Sequence, residues 1–588
     1  MTEQGNQPRV SGSMNAVPEI AHSFPETPRE QLDETLADLA AAAARWADTD
    51  VPARLALLTE MVDTTLAVGP DWAAAAAHAK GIHHDSPLVG EDWGSGVVAL
   101  LRNLKLLERT LTDIQETGRP QPPSIKVAPN GQVVARILPT DTWDALVFPG
   151  FSGEIRLQPH VTLDQALARI GRIYRKDHAP QPGVALVLGA GNVSSIGPMD
   201  ALYELFAKDH VVLLKMNPVN EHLGPYIAEA MQPLVREGFV RIVYGGADAG
   251  EYLTRHDLVD TIHVTGSDKT HDAIVFGRGE DGARRKAAGE PELTKPVTSE
   301  LGNVTPVIVV PGPWSEKDIA YQGDNIASKL VQNGGFNCIA ARVIVQHRAW
   351  AKRNDLLHAI RDSLTRAEER VPYYPGAVER WERFVREHPT SEWFGETGPD
   401  RVPFTLIPGL DPSEKDDIAF RTEAFCGVFG EVSLDSPRSI SAYLDEAVAF
   451  CNDTLWGTLS ASIIVHPRSL KDPDVAAAVE RAVDELRYGS VVVNHWSAAA
   501  YAFVSPSWGA YPGAEATDIQ SGRGVVHNTY LLEDVEKSVV RGPFRAPTKP
   551  AWFHTHRTLS ELFPEVARFT ATRDPRLFPK VVWAALRG

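Results

Sequence analysis

From residue 183 onward, short apolar runs alternate with stretches of helical periodicity, and no other feature narrows the possible folds so far. The runs are VALVLG (184–189), VVLLKM (211–216), VRIVYG (240–245) and TIHVTG (261–266), with MDALYELFAKD and LGPYIAEAMQPLVREG among the segments between them. A strand that is apolar on both faces must be covered on both faces. Helices that cross over a parallel sheet provide that cover, so the pattern predicts a doubly wound α/β domain. A second alternation begins with TPVIVV, a helix over 315–332, CIAARVIVQ and a helix over 349–368, and resumes in SASIIVH and SVVVNHW. It predicts a second α/β domain, in keeping with 588 residues, too many for one core.

The flanking segments read differently. Residues 1–24 are polar with scattered Pro and Gly and are expected to be disordered. Thr27-Pro28 reads as an N-cap with Pro at the first helical position, opening an Ala/Leu-rich helix over 29–47, with more helix through about 118. SIKVA and QVVARIL flank Pro129-Asn130-Gly131, a hairpin signal, and such hairpins can lend an edge strand to a partner subunit. The polar stretch 277–296 is expected to be a surface loop, and beyond about 545 Trp, Phe and Pro occur without periodicity. The division this implies is a disordered 1–24, a first unit over 25–310 with the hairpin element at 123–160, a second α/β unit over 311–500, a returning segment over 501–545 and an extension over 546–588.

Bulk properties exclude several classes. A net charge of −18 is ill suited to neutralising phosphates, so no nucleic-acid partner is expected. No apolar run reaches the ~20 residues needed to span a bilayer, and residues 1–20 lack a basic segment followed by an apolar one. Three cysteines, Cys338, Cys426 and Cys451, make no disulfide framework, which points to a reducing cytoplasm. No metal is expected: the histidines lack ligand spacing, and His83 and His84, being adjacent, do not share a helical face.

The first chemical signal is Gly189 and Gly191, directly after a strand and before a helix, where a dinucleotide pyrophosphate approaches a helix N-terminus. The third glycine of the usual fingerprint is Ser194 here, and the next strand ends in Lys215 rather than an acid. A Rossmann-like architecture with different phosphate contacts fits better than a plain Rossmann site.

Further along, Thr265-Gly266-Ser267 closes the fourth strand and Glu300-Leu301-Gly302-Asn303 follows the polar stretch. Asn333-Gly334-Gly335-Phe336-Asn337-Cys338 places its cysteine 38 residues past Glu300, and Glu423-Ala424-Phe425-Cys426-Gly427 comes later. In this order the motifs resemble the aldehyde dehydrogenase superfamily over roughly residues 30–540. SGRGVVHNTYLLEDVEKSVV (521–540) resembles that family's C-terminal stretch, which returns to the cofactor domain and the oligomer contact.

The resemblance implies an NAD(P)-dependent oxidoreductase that converts an aldehyde to a carboxylic acid. Cys338 would be the nucleophile, forming a thiohemiacetal and then a thioester. Asn192 would steady the oxyanion and Glu300 would activate the hydrolytic water. Lys215 and Glu423 would hold the two riboses, Gly266 and Ser267 the pyrophosphate through a helix N-terminus, and Phe425 would pack near the nicotinamide. The cofactor is NAD or NADP. The protein is expected to be a cytoplasmic homodimer or homotetramer, with a small aldehyde as partner. Four features depart from the family pattern: Ala190-Gly191 replaces a proline-tryptophan pair, Pro218 replaces a glutamate after the strand lysine, the polar insertion before Glu300 is longer than usual, and residues 546–588 are added. Two alternatives follow. One is a CoA-acylating dehydrogenase or acyl-CoA reductase, whose members commonly lack the glutamate matched by Glu300. The other is a silent binding or scaffold relative. A cysteine hydrolase would need a histidine beside Cys338. Trp496, Tyr501, Phe503 and Trp508 are aromatic candidates for the substrate pocket, and the aldehyde itself is left open.

Overall fold

The computed structural model describes residues 24–398, 401–437 and 439–588. The disorder expected for 1–24 lies outside the described residues except at Phe24. That residue is in place: its N–H donates to Glu221 Oε1 at 3.2 Å and its ring stacks on Tyr244 at 4.8 Å.

Nineteen strands follow in chain order among the described residues. The first three are β1 (Ser124–Val127), β2 (Val133–Leu138) and β3 (Ser152–Leu157). Then come β4 (Gly183–Leu188), β5 (His210–Lys215), β6 (Val240–Val243), β7 (Thr261–Gly266) and β8 (Val297–Leu301). The second alternation supplies β9 (Thr305–Val309), β10 (Ala341–His347), β11 (Glu392–Phe394), β12 (Phe404–Leu410), β13 (Val428–Leu434), β14 (Ser460–Ile464) and β15 (Ser490–Val493). Short strands β16 (Trp508–Gly509), β17 (Gly522–Arg523) and β18 (Val525–Val526) precede β19 (Val535–Arg541).

Both expected α/β units are present. The smaller sheet has the order β17-β8-β7-β4-β5-β6, parallel except at β17. The chain steps outward in opposite directions from β4, so a crevice opens at the carboxyl ends of β4 and β7, the place where such sheets take ligands. The larger sheet has eleven strands in the order β1-β2-β3-β19-β15-β14-β9-β10-β13-β12-β11. Its strands from β19 to β12 run parallel, and their side chains are almost wholly buried.

The hairpin forms as its turn signal predicts, with Gly131 at φ 86°. Its strands join the larger sheet of the same chain: β3 pairs antiparallel with β19, and β19 pairs parallel with β15. The 501–545 segment therefore serves both sheets, β17 bordering β8 in one and β19 carrying the hairpin in the other.

Three local expectations need correction. Thr27 does not cap the helix Arg29–Ala47; its hydroxyl accepts from Tyr244 N–H and its own N–H donates to Tyr244 O, both at 3.0 Å. The stretch 277–296 contains a helix, Gly279–Ala288, half of it charged and the rest glycine and alanine, held by Lys286–Asp272 at 2.7 Å. Such a helix has no apolar stripe to read. The tail also holds helices, Leu559–Thr572 and Phe578–Leu586, the first with Pro564 inside it. They lie on the N-terminal helices, with Leu559 against Gly90, Phe563 against Gly94 and Phe569 edge-on to Trp143 at 5.3 Å. No helix among the described residues is long and apolar enough to cross a membrane.

Candidate active site

Asn192 leaves the loop after β4. A Cβ on Gly191 would come within 2.7 Å of Asn217 Oδ1 and 2.8 Å of Val219 Cβ, so only glycine fits there. The loop is tied down by Asn217 and Asn220, whose amides donate to Gly189 O at 3.3 Å and Ala190 O at 2.9 Å. Asn192 is thereby aimed at the larger sheet, where its Nδ2 donates to Phe336 O at 2.9 Å.

The segment carrying Phe336 is shaped by three consecutive left-handed residues, Asn333 (φ 54°), Gly334 (66°) and Gly335 (81°). A Cβ on Gly335 would meet Cys426 O at 2.6 Å, which explains why the pair of glycines is needed. Arg342, buried in β10, donates to Gly335 O at 2.8 Å and Cys426 O at 2.6 Å and fastens both loops. Asn333 Nδ2 donates to Asn192 O at 3.2 Å, closing a polar bridge between the sheets. Cys338 is half-buried in the turn Asn337–Ala340, and the strand begins three residues later than expected, at Ala341. Trp496 Nε1 donates to Ile339 O at 2.7 Å.

Glu300 rises from β8 on the other side of the crevice and is 4% exposed. Its carboxyl lies beside the Cys338 thiol and Trp508, and Oε1 is buried without a hydrogen-bond partner. Burial, reinforced by Asp200, pushes it up to about 8. Burial and the carboxylates of Glu300 and Glu423 push the Cys338 thiol up as well. The pair therefore rests neutral at pH 7, one proton on sulfur and one on oxygen.

At the other end of the crevice, Lys215 closes β5 with 7% exposure and a single carbonyl partner, Met216 O at 3.3 Å. Burial lowers it to about 8. Ser267 caps the helix Asp268–Val275, accepting from Thr270 N–H at 3.2 Å, and Gly266 beside it is exposed. Phe425, at φ 41°, packs edge-on to Tyr374 at 4.8 Å. The Glu423 carboxylate fills the space over Gly302, where a Cβ would fall 1.9 Å from Oε2. Its Oε1 is buried without a partner, and burial raises it to about 7. The carboxyl ends of β4, β5, β7 and β8 thus supply Asn192, Lys215, Gly266 with Ser267, and Glu300, facing the amino ends of β10 and β13, which supply Cys338 and Glu423.

The sequence profile of the aldehyde dehydrogenase family matches residues 166–368, which include Asn192, Lys215, Glu300 and Cys338. Over that third of the chain the sequence is similar to the aldehyde dehydrogenase family. Its curated relatives are distant. N-succinylglutamate 5-semialdehyde dehydrogenase of Novosphingobium aromaticivorans is 26% identical over 184 residues, 31% of this chain and 35% of that protein. Aminoacetaldehyde dehydrogenase of Pseudomonas aeruginosa is 28% identical over 301 residues, 48% of this chain and 53% of that protein. The matches thus span between a third and about half of those relatives. The fold extends further: glyceraldehyde-3-phosphate dehydrogenase of Methanocaldococcus jannaschii, solved with NADP, aligns at TM-score 0.59 and 14% identity, covering 88% of this chain and 96% of that one.

The absence of the tryptophan that the resemblance leads one to expect before Asn192 has a physical reason. The turn carrying Asn217 and Val219 occupies the space around Gly191. A nicotinamide dinucleotide is compatible with the residues present. The unpartnered Oε1 of Glu423 is free to accept from ribose hydroxyls, and Lys215 keeps donors beyond its one carbonyl.

Sequence reading missed Asp200. It is 1% exposed on the helix Ile196–Lys208, accepts from Thr265 Oγ1 at 3.0 Å, and lies 3.4 Å from His263 Nε2. Thr265 pairs with Glu300 across β7 and β8, so both side chains rise on the face that Asp200 covers. Arg342 was missed because one arginine inside an apolar strand carries no signal of its own. Tyr501 was named only as an aromatic candidate; its hydroxyl lies 2.8 Å from Ser195 Oγ. His83, His84 and Asp85 occupy an exposed turn rather than a helix face, and their donor atoms come within 4.8 Å of one another, so the helical argument against a metal does not apply to them.

Proposed function

We propose that this protein oxidises an aldehyde to a carboxylic acid with NAD or NADP, through a thioester on Cys338. The observation that carries the reading is the Glu300 carboxyl beside the Cys338 thiol at the crevice. In its ionised form Glu300 takes the thiol proton as the aldehyde enters, and sulfur attacks the carbonyl carbon to form a thiohemiacetal. The developing oxyanion takes the second N–H of Asn192, whose first is held by Phe336 O. A bound nicotinamide supplies the hydride acceptor. Glu300, having passed that proton to solvent, then deprotonates a water that attacks the thioester; the proton it gains goes to the departing thiolate, releasing acid and restoring the thiol. Glu423 and Phe425 would hold the nicotinamide ribose and ring, Lys215 the adenine ribose, and Ser267 the pyrophosphate through backbone N–H groups.

The largest charges acting on Cys338 are the carboxyls of Glu300 and Glu423, which favours hydrolysis by way of Glu300 over a cysteine–histidine hydrolase. Incubating aldehyde and NAD(P) without CoA should yield acid with wild type, none with Cys338→Ala, and a trapped acyl-enzyme by mass spectrometry with Glu300→Gln. A strict requirement for CoA, or acid formation by Cys338→Ala, would sink the reading.

A further inference from the structure

The segment before the first helix delivers an acid to the nucleotide end of the crevice. The helix Ala247–Arg255 starts just beyond β6, whose Val243 pairs with Lys215. Its N-terminus has no side-chain cap from its own N-cap residue, Gly246. Glu26 takes that place: its Oε1 accepts from Gly246 N–H at 2.7 Å, and its carboxyl carbon lies 3.8 Å from where a Cβ on Gly245 would sit. Lys215 reaches the same helix from beneath, its Cε 3.7 Å from a Cβ position on Gly250, one turn further in. Phe24 stacked on Tyr244, and the reciprocal bonds of Thr27 with Tyr244, hold the segment there. Buried Glu221, which accepts from Phe24 N–H, adds a second acid near Lys215.

We propose that Glu26 sets a preference for NAD over NADP. The inference rests on reading Lys215 as the adenine-ribose residue. A helix N-terminus beside a lysine would otherwise attract a phosphate. With a carboxylate already seated there, ribose hydroxyls find an acceptor in Glu26 and donors in Lys215. A 2′-phosphate has no such proton to give and meets like charge. Pro218, where relatives carry a glutamate, is uncharged; Glu26 supplies that charge from the far end of the chain.

Isothermal titration of the full chain with NAD and with NADP tests this, using wild type and Glu26→Gln. The amide oxygen of glutamine can keep the bond from Gly246 N–H while the charge is lost. Wild type should bind NAD at least about tenfold more tightly than NADP. Glu26→Gln should tighten NADP about tenfold, leave NAD within a few-fold, and lose most of the NADP gain at high salt. A wild-type preference for NADP, an unchanged ratio, or equal tightening of both nucleotides would overturn the proposal; the last would mean that the segment merely obstructs the site. Failure of both proteins to bind either nucleotide would instead overturn the dehydrogenase reading, and this one with it.

Discussion

Asp200→Asn isolates what sets the basicity of Glu300. Asp200, Cys338, Glu423 and Tyr501 are titratable groups that act on Glu300. Behind Asp200 stand His263, His527 and Tyr501, the last two in edge contact at 4.6 Å. Burial raises Glu300 first and the Asp200 charge second, to about 8. At that value about one Glu300 in ten is ionised at pH 7. Asparagine keeps the shape and can still accept from Thr265, but carries no charge. Loss of a close like charge is worth on the order of one pKa unit. Hydrolysis of a pre-formed acyl-enzyme, followed in single turnover from pH 5.5 to 9.5, should show an acid limb with its midpoint near 8 in wild type and about one unit lower in Asp200→Asn. The plateau above the limb should fall, because a weaker base accepts protons less well. An acid limb that stays in place would refute the coupling. A wild-type rate flat across this range would refute the buried base altogether.

Two further outcomes follow from packing. Gly302→Ala places a Cβ 1.9 Å from Glu423 Oε2, so the carboxylate must leave its seat; nucleotide affinity should drop by about tenfold or more with an unchanged circular dichroism spectrum, and unaltered binding would remove Glu423 from the site. Lys329 is fully buried, donates only to His495 O at 3.1 Å, and is lowered by burial from 10.5 to about 7. The unfolded chain thus holds the proton that the folded one releases, and stability rises with pH between about 7 and 10.5. Lys329→Met should remove that slope and stabilise by about 1–2 kcal/mol at pH 6, with less gain at pH 9, in denaturant melts; a loss at pH 6 would show that the ammonium is held better than its contacts indicate.

Much of the site is written locally. Gly334 and Gly335 mark a backbone that L side chains rarely adopt, and apolar strands alternating with helices imply a parallel sheet with its crevice at the carboxyl ends. Those are short-range consequences of backbone sterics and burial, so β4 to β7, β9 and β10 could be read off in order, with the candidates Asn192, Lys215, Glu300 and Cys338 placed along them. The helix Gly279–Ala288 escaped because it shows no apolar stripe, while the stripe of the tail helix (Leu559, Leu562, Phe563, Val566) is interrupted by Pro564, which reads as a helix breaker. Tertiary structure alone decided the rest. It returned the hairpin to its own chain's sheet, set Asp200 over the β7–β8 face, and brought Glu26 to a helix some 220 residues away. Such contacts depend on which surfaces meet once the cores have formed, and residues far apart in sequence carry no local trace of that meeting.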